Sequence, residues 1–127
     1  MSAQLRCHPP RVIYVLEDDP AVSDALVILL GNLGFDVLAF ADAESFFAHP
    51  PPTRNDIVFV DLVLPGIGGS EVIRQLQHLG EPPHIVAMSG HSQRIIDAAL
   101  RNLDALQVLR KPLTHDAIVA QLSPPAR

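Results

Sequence analysis

The chain lacks several features that would place it in a large class of proteins. It has one cysteine in 127 residues, Cys7, so an internal disulfide is excluded and a reducing, cytoplasmic location is expected. No apolar run approaches the roughly 20 residues that span a bilayer. Residues 1–10 also lack the apolar core of a signal peptide. We therefore expect neither membrane insertion nor export.

Basic residues are scarce as well. Nine Lys and Arg stand against fourteen Asp and Glu, and the formal net charge is -5. The absence of a basic stripe argues against direct binding to nucleic acid or to an anionic membrane. There is no Gly-Lys-Ser/Thr sequence and no dinucleotide fingerprint, which argues against a nucleotide site. The expected partners are proteins, or small anions held by a metal.

What the chain does contain is enough apolar residues, 48%, to build one core, and its length predicts one domain. We expect this domain over residues 11–123, with an N-terminal tail at 1–10 and a C-terminal tail or linker start at 124–127. Short apolar runs alternate with stretches of helical periodicity, and the first run is continuous, as in a strand buried on both faces. The predicted strands are Val12–Leu16, Phe35–Phe40, Ile57–Val60, His84–Met88 and Leu106–Leu109.

Five helices are predicted between and after these strands. Asp19 is expected to cap the first helix, Pro20 to open it and Gly34 to end it. Its apolar stripe is formed by Val22, Ala25, Leu26, Leu29, Leu30 and Leu33. The others are expected at 42–49, about 70–79, around the apolar face Ile95, Ile96, Ala99, Leu100 and Leu103, and after a Thr114 cap. Because crossovers between parallel strands are right-handed, this alternation predicts a doubly wound three-layer α/β sandwich.

The carboxyl ends of the strands carry the polar residues of interest. For strand order 2-1-3-4-5, ligands bind beyond these ends, between the first and third strands. The first strand leads to Glu17 and Asp18, the third to Asp61, the fourth to Ser89 and the fifth to Lys111. Any one of these residues alone is more simply a surface charge, a cap or a turn former. Their convergence at one edge predicts a site.

Carboxylates this close repel one another, and burying them uncompensated destabilises a fold. A hard cation such as Mg²⁺ suits oxygen ligands, and Lys111 supplies a second positive charge. A carboxylate flanked by a metal and an ammonium can attack a phosphoryl group, because both cations offset the charge on the phosphoryl oxygens. Ser89 can donate a hydrogen bond to one of those oxygens.

Four segments, VLEDDP, VFVDLVLPGIGG, VAMSGHS and VLRKPL, occur together. Over Val12–Leu122 the chain resembles the CheY-like receiver domain of bacterial two-component response regulators. The resemblance implies a flavodoxin-like fold with five helices, and a signalling domain rather than an enzyme acting on other substrates. It further implies that Asp61 accepts a phosphoryl group from a sensor histidine kinase or a histidine phosphotransfer protein. The domain would catalyse its own phosphorylation and dephosphorylation, and so switch its protein contacts.

The resemblance also implies roles for individual residues. Asp18 and Asp61 would bind Mg²⁺, or Mn²⁺, directly, Glu17 would act through a water molecule, and Val63 would contribute its backbone carbonyl. Ser89 would move towards the phosphoryl oxygen, and Lys111 would pair with the phosphorylated Asp61. The Lys111–Pro112 peptide bond is expected to be cis.

Some positions depart from the commoner family pattern. Val108 stands where many receivers carry a Tyr or Phe that rotates on activation, so the signal is expected to pass through Ser89, Gly90 and the fourth helix. Val63 and His91 occupy two variable positions that affect attack of water on the phosphoryl group. Because an apolar residue at 63 cannot orient this water, a long-lived phosphoryl group is expected.

A further departure is Asp104, which stands where a glycine usually precedes the fifth strand. Asp tolerates the left-handed conformation expected there better than most residues do. The surface of the fourth helix, fifth strand and fifth helix commonly binds partners in receivers. A homodimer through it is one expected arrangement.

Two other functions are compatible with parts of the pattern. A Mg²⁺-dependent phosphohydrolase with an aspartyl nucleophile usually needs a second acid two residues later, where this chain has Val63. A degenerate receiver that only binds partners is disfavoured by the intact set of Asp18, Asp61, Ser89 and Lys111. With no output domain before Arg127, the chain is expected to be either a stand-alone receiver or the regulatory part of a longer protein.

Overall fold

The computed structural model describes residues 12–122, and the predicted tails at 1–10 and 124–127 lie outside the described residues. Five strands alternate with five helices. The strands are β1 (Ile13–Leu16), β2 (Val37–Phe40), β3 (Ile57–Asp61), β4 (His84–Ser89) and β5 (Gln107–Arg110). The helices are α1 (Pro20–Asn32), α2 (Ala43–Phe47), α3 (Gly69–Gln77), α4 (Gln93–Ala99) and α5 (His115–Val119).

The strands form one parallel sheet in the order β2-β1-β3-β4-β5, which confirms the predicted topology. The central strands β1 and β3 are buried along their whole length. Their register pairs Ile13 with Ile57 and Leu16 with Val60. Apolar side chains on the two faces form two separate core clusters, one on each side of the sheet. The strand order reverses here, so the connections that follow β1 and β3 run towards opposite edges of the sheet and leave a crevice at the carboxyl ends of these two strands.

The ends of α1 are formed as predicted. The Asp19 side chain accepts a hydrogen bond from the Ala21 backbone N–H at 2.9 Å, and Pro20 is the first helical residue. Gly34 has φ +96°, a conformation that favours glycine. The predicted apolar stripe was wrong at Ala25 and Leu33, which are exposed. Leu33 follows the last helical residue, so the helical period no longer directs its side chain to the core.

Other predicted bounds shift by one or two residues. β3 extends through Asp61 and β4 through Ser89, so both polar residues still belong to strands. The prediction of a left-handed conformation at Asp104, before β5, was wrong. Among residues 12–122, the non-glycine residue with positive φ is Asn102, at +69°. In α4, Ile96 is buried but Ile95, also predicted on the apolar face, is exposed. The face of the helix that packs on the sheet is therefore narrower than the predicted one.

No helix in the described range 12–122 combines the length and the apolar character that crossing a membrane requires.

Candidate phosphoacceptor site

Asp61 lies at the end of the central strand β3, beside Met88 of β4. It is only 6% exposed, although its carboxylate opens on the crevice. One carboxylate oxygen, Oδ1, accepts a hydrogen bond from the Val63 backbone N–H at 3.0 Å. The other, Oδ2, accepts one from Lys111 Nζ at 3.1 Å. Both oxygens are therefore held in a defined direction by elements on either side of the carboxylate.

Lys111 comes directly after β5 and reaches across β4 to the crevice. Its ammonium lies 2.5 Å from Glu17 Oε1 as well as 3.1 Å from Asp61 Oδ2. Its backbone N–H donates to the Ser89 carbonyl at 2.8 Å, which fixes the start of the side chain. The following Lys111–Pro112 peptide bond is cis, as predicted.

The ionisation of this pair reflects burial and charge together. Burial raises the pKa of Glu17, and the neighbouring Asp61 raises it further, whereas the bond to Lys111 acts in the opposite direction. Burial lowers the pKa of Lys111, but its bonds to Glu17 and Asp61 outweigh burial and raise it overall. The ammonium stays charged, and it only partly offsets the cost of burying Glu17.

Glu17 and Asp18 are neighbours in sequence but differ in environment. The Glu17 side chain is buried, and its Oε2 accepts a hydrogen bond from the Asp19 backbone N–H at 3.1 Å. Its Oε1 is held by the Lys111 ammonium. Asp18 is exposed on the open side of the crevice.

Carboxylate oxygens of Glu17, Asp18 and Asp61 lie within 4.8 Å of one another. Three hard oxygen ligands at this spacing match the requirements of a small divalent cation. One lysine cannot neutralise three carboxylates. The residues present therefore fit the metal that the sequence predicted.

Ser89 ends β4 at the rim of the same crevice and is fully buried. Its Oγ accepts a hydrogen bond from the His91 backbone N–H at 3.0 Å, across the exposed Gly90. The hydroxyl thus tethers the β4–α4 loop in this structure. Val63 is 44% exposed at the mouth of the crevice, and its apolar side chain offers no group that binds water.

Val108, another predicted modulating position, is partly buried and packs against the core cluster on the α4 side of the sheet.

Two contacts near the site were not anticipated from the sequence. Arg110 Nη1 donates to Gln93 Oε1 at 2.9 Å, joining the end of β5 to the first residue of α4. The backbone of Gly69 approaches the Asp61 carbonyl so closely that a side chain there would collide with it. The sequence shows a glycine at this position but does not indicate the contact.

Comparison with known proteins places this geometry in a family. A family model described as the response regulator receiver domain matches residues 13–123. The chain is 33% identical to the transcriptional regulatory protein FixJ of Bradyrhizobium diazoefficiens over 87% of this chain and 54% of that protein. It is 30% identical to the response regulator TodT of Pseudomonas putida over 87% and 49%. The chain therefore spans about half the length of these curated relatives.

Solved structures show the same fold. The BeF3-activated receiver domain of DrrB, a Thermotoga maritima protein, superimposes with a TM-score of 0.76 at 20% identity, covering 88% of this chain and 93% of that one. The chain belongs to the response regulator receiver domain family. It is a signalling domain of bacterial two-component systems, whose response regulators act with histidine kinases.

Proposed function

We propose that Asp61 accepts a phosphoryl group from the phosphohistidine of a sensor histidine kinase or a histidine phosphotransfer protein. An Asp61 carboxylate oxygen forms a bond to phosphorus, the phosphorus–nitrogen bond breaks, and its electron pair returns to the imidazole of the donor. The observation that carries this proposal is the direct bond from Lys111 Nζ to Asp61 Oδ2 inside the acidic cluster. The ammonium is placed to offset the charge that a phosphoryl group would add.

The carboxylates of Asp18 and Asp61 and the backbone carbonyl of Val63 would hold Mg²⁺ or Mn²⁺, with Glu17 acting through water. When bound, this cation would offset the negative charge of the transferring phosphoryl group. The excess of three clustered carboxylates over the single ammonium of Lys111 supports this assignment. Together with Lys111 and Ser89, these residues would let the domain catalyse its own phosphorylation and dephosphorylation.

The phosphodonor must bring its histidine to Asp61, so it must cover the mouth of the crevice. A groove of about 370 Å³ adjoins this mouth, lined by the apolar face of α1 on one side and by Lys111, Pro112, Leu113 and Ile118 on the other. Its apolar walls suit the packing of a donor helix. We assign this groove to the donor protein.

After phosphorylation, Ser89 would turn its hydroxyl towards the phosphoryl group, carrying Gly90, His91 and the start of α4 with it. Val108 is partly buried against the core and has no ring to rotate, so the loop and helix carry the signal. The exposed, apolar Val63 would leave attacking water unoriented and so prolong the phosphorylated state.

The domain is assigned to residues 11–123, flanked by tails, in the cytoplasm. A homodimer through α4, β5 and α5 is one form of output, without direct contact to nucleic acid.

Incubation with acetyl phosphate, with and without MgCl2, tests the proposal. Intact-mass spectrometry is expected to show addition of one phosphoryl group only with the metal, and none in Asp61→Asn. A matched control is Asp19→Asn, next to the acidic cluster, since Asn also caps helices and preserves the charge of the cluster itself. Absence of modification in the wild type under every condition would refute the proposal. Sustained hydrolysis of small phosphomonoesters that Asp61→Asn abolishes would point to a phosphohydrolase instead.

A further inference from the structure

The first residue of α3 lies against the peptide unit that follows the phosphoacceptor. A Cβ built on Gly69 would lie 1.9 Å from the Asp61 carbonyl oxygen and 2.8 Å from the Leu62 Cα. With a carbon–carbon bond of about 1.5 Å, the Gly69 Cα itself is within about 3.4 Å of that oxygen, the range of a Cα–H···O contact. The start of α3 and the end of β3 are therefore in direct backbone contact.

This contact leaves no room for a side chain of any kind. The atoms that a Cβ would meet belong to the backbone, so rotation of a neighbouring side chain cannot relieve the collision. The helix is not free to retreat either, because Val72, Ile73 and Leu76 bury its inner face in the core. The neighbouring Gly68 has nothing within 4 Å of its Cβ position, so the restriction is specific to residue 69.

We propose that Gly69 is a positioning residue for phosphoryl transfer, a conclusion that rests on the proposed function of Asp61. The α3 backbone braces the Asp61–Leu62 peptide, and this peptide sets the direction of the Asp61 carboxylate. It also places the next residue but one, Val63, whose N–H holds Asp61 Oδ1 and whose carbonyl is assigned to the metal. A side chain at 69 would displace this segment relative to Lys111, which approaches from another strand. Displacement of reacting groups by about 1 Å can reduce a rate a hundredfold.

Helix propensity alone makes the opposite prediction. Replacing a glycine inside a helix by alanine stabilises a protein by up to about 1 kcal/mol when space allows. Gly69→Ala would then be harmless or stabilising if the contact had no role. Gly68, the N-cap residue of α3, has φ -71° and accommodates alanine without strain. Gly68→Ala is therefore the matched control, one residue away on the same helix.

The test compares wild type, Gly69→Ala, Gly68→Ala and Val72→Ala, the last of which weakens the α3 packing without touching Asp61. The measurements are the initial rate of phosphorylation by acetyl phosphate, the Mg²⁺ dissociation constant from calorimetry and the ¹⁹F NMR spectrum of the beryllofluoride adduct. All are made at a temperature well below each variant's midpoint of thermal unfolding. Gly69→Ala is expected to be slower by tenfold or more, to bind Mg²⁺ several times more weakly and to shift the ¹⁹F resonances. The two controls are expected to stay within twofold of wild type.

The outcomes separate this inference from the function on which it rests. A wild type that is never phosphorylated would refute the proposed function. A phosphorylated wild type with Gly69→Ala indistinguishable from it would overturn only the role of Gly69. An equal loss in Val72→Ala would overturn it too, because general weakening of α3 would then explain the effect. If Gly69→Ala stays unfolded at 10 °C even with a stabilising osmolyte, the contact serves the whole fold and the inference is likewise overturned.

Discussion

Lys111 offers the most direct test of the electrostatics of the site, through the substitution Lys111→Met. The methionine side chain occupies similar volume but carries no charge. Its introduction would leave Glu17, which is 2% exposed, and Asp61, which is 6% exposed, without the ammonium that both contact. Removing one partner of a buried ion pair typically destabilises a protein by about 3–5 kcal/mol, because the remaining charge is buried unpaired.

The pH limits the free energy of unfolding that is lost when Glu17 has no ammonium beside it. The carboxyl group can take up a proton instead of remaining charged, so the loss cannot exceed the cost of protonation. Its ordinary pKa is 4.5, and burial already raises it in the wild type. Each pH unit above that value adds 1.36 kcal/mol to the cost of keeping the proton, so the ceiling is about 3.4 kcal/mol at pH 7 and about 0.7 kcal/mol at pH 5. A group whose pKa is raised on folding stabilises the fold at low pH and loses that contribution as pH rises. Lys111→Met should therefore recover stability relative to wild type between pH 7 and pH 5.

Urea unfolding of both proteins at pH 5, 6 and 7 without divalent metal measures this effect. We expect a loss of about 3 kcal/mol at pH 7 that shrinks by about 2 kcal/mol or more at pH 5. In the background of Glu17→Gln the pH dependence of the difference should largely disappear. An equal loss at both pH values would refute the reasoning, because it would show that the lysine acts by packing rather than by charge. A loss below about 0.5 kcal/mol at pH 7 would show that water reaches Glu17 in its place.

Three further predictions concern other parts of the molecule. Asp56 is buried at the start of β3, where it accepts bonds from the Val12 N–H and from the N–H and hydroxyl of Thr53. Asp56→Ala should cost about 2–4 kcal/mol in urea unfolding and Asp56→Asn clearly less, and equal costs would contradict this account. Asn102, at φ +69°, should tolerate glycine with little change, whereas alanine should cost about 1 kcal/mol in the same assay. Mg²⁺ at 100 times its dissociation constant should stabilise the wild type by about 2.7 kcal/mol, roughly 10 °C in thermal midpoint, and Asp18→Asn should lose most of this shift.

The fold and the grouping of the site residues could be predicted because both follow from chain-level rules. Parallel strands joined by right-handed crossovers end at one edge, so residues that follow different strands converge there. This rule brought Asp61 and Lys111 together across 50 positions of sequence. It could not predict that Glu17 is buried while Asp18 is exposed, because that depends on where the chain leaves the sheet. The contact of Gly69 with Asp61 depends on a helix position set by packing, and no local pattern encodes it.

Contacts at the ends of β4 and β5 connect the site to the start of α4. A valine at 108 is branched at Cβ, which restricts its χ1 angle. It also has no polar group that could leave solvent and form a hydrogen bond inside the protein. The backbone and the neighbouring polar side chains offer a shorter path. The Lys111 N–H is bonded to the Ser89 carbonyl at 2.8 Å, and the preceding Arg110 holds Gln93, the first residue of α4, at 2.9 Å. A displacement of Lys111 or Ser89 towards a phosphorylated Asp61 would therefore pull on the start of α4 from two sides, without any aromatic ring in the path.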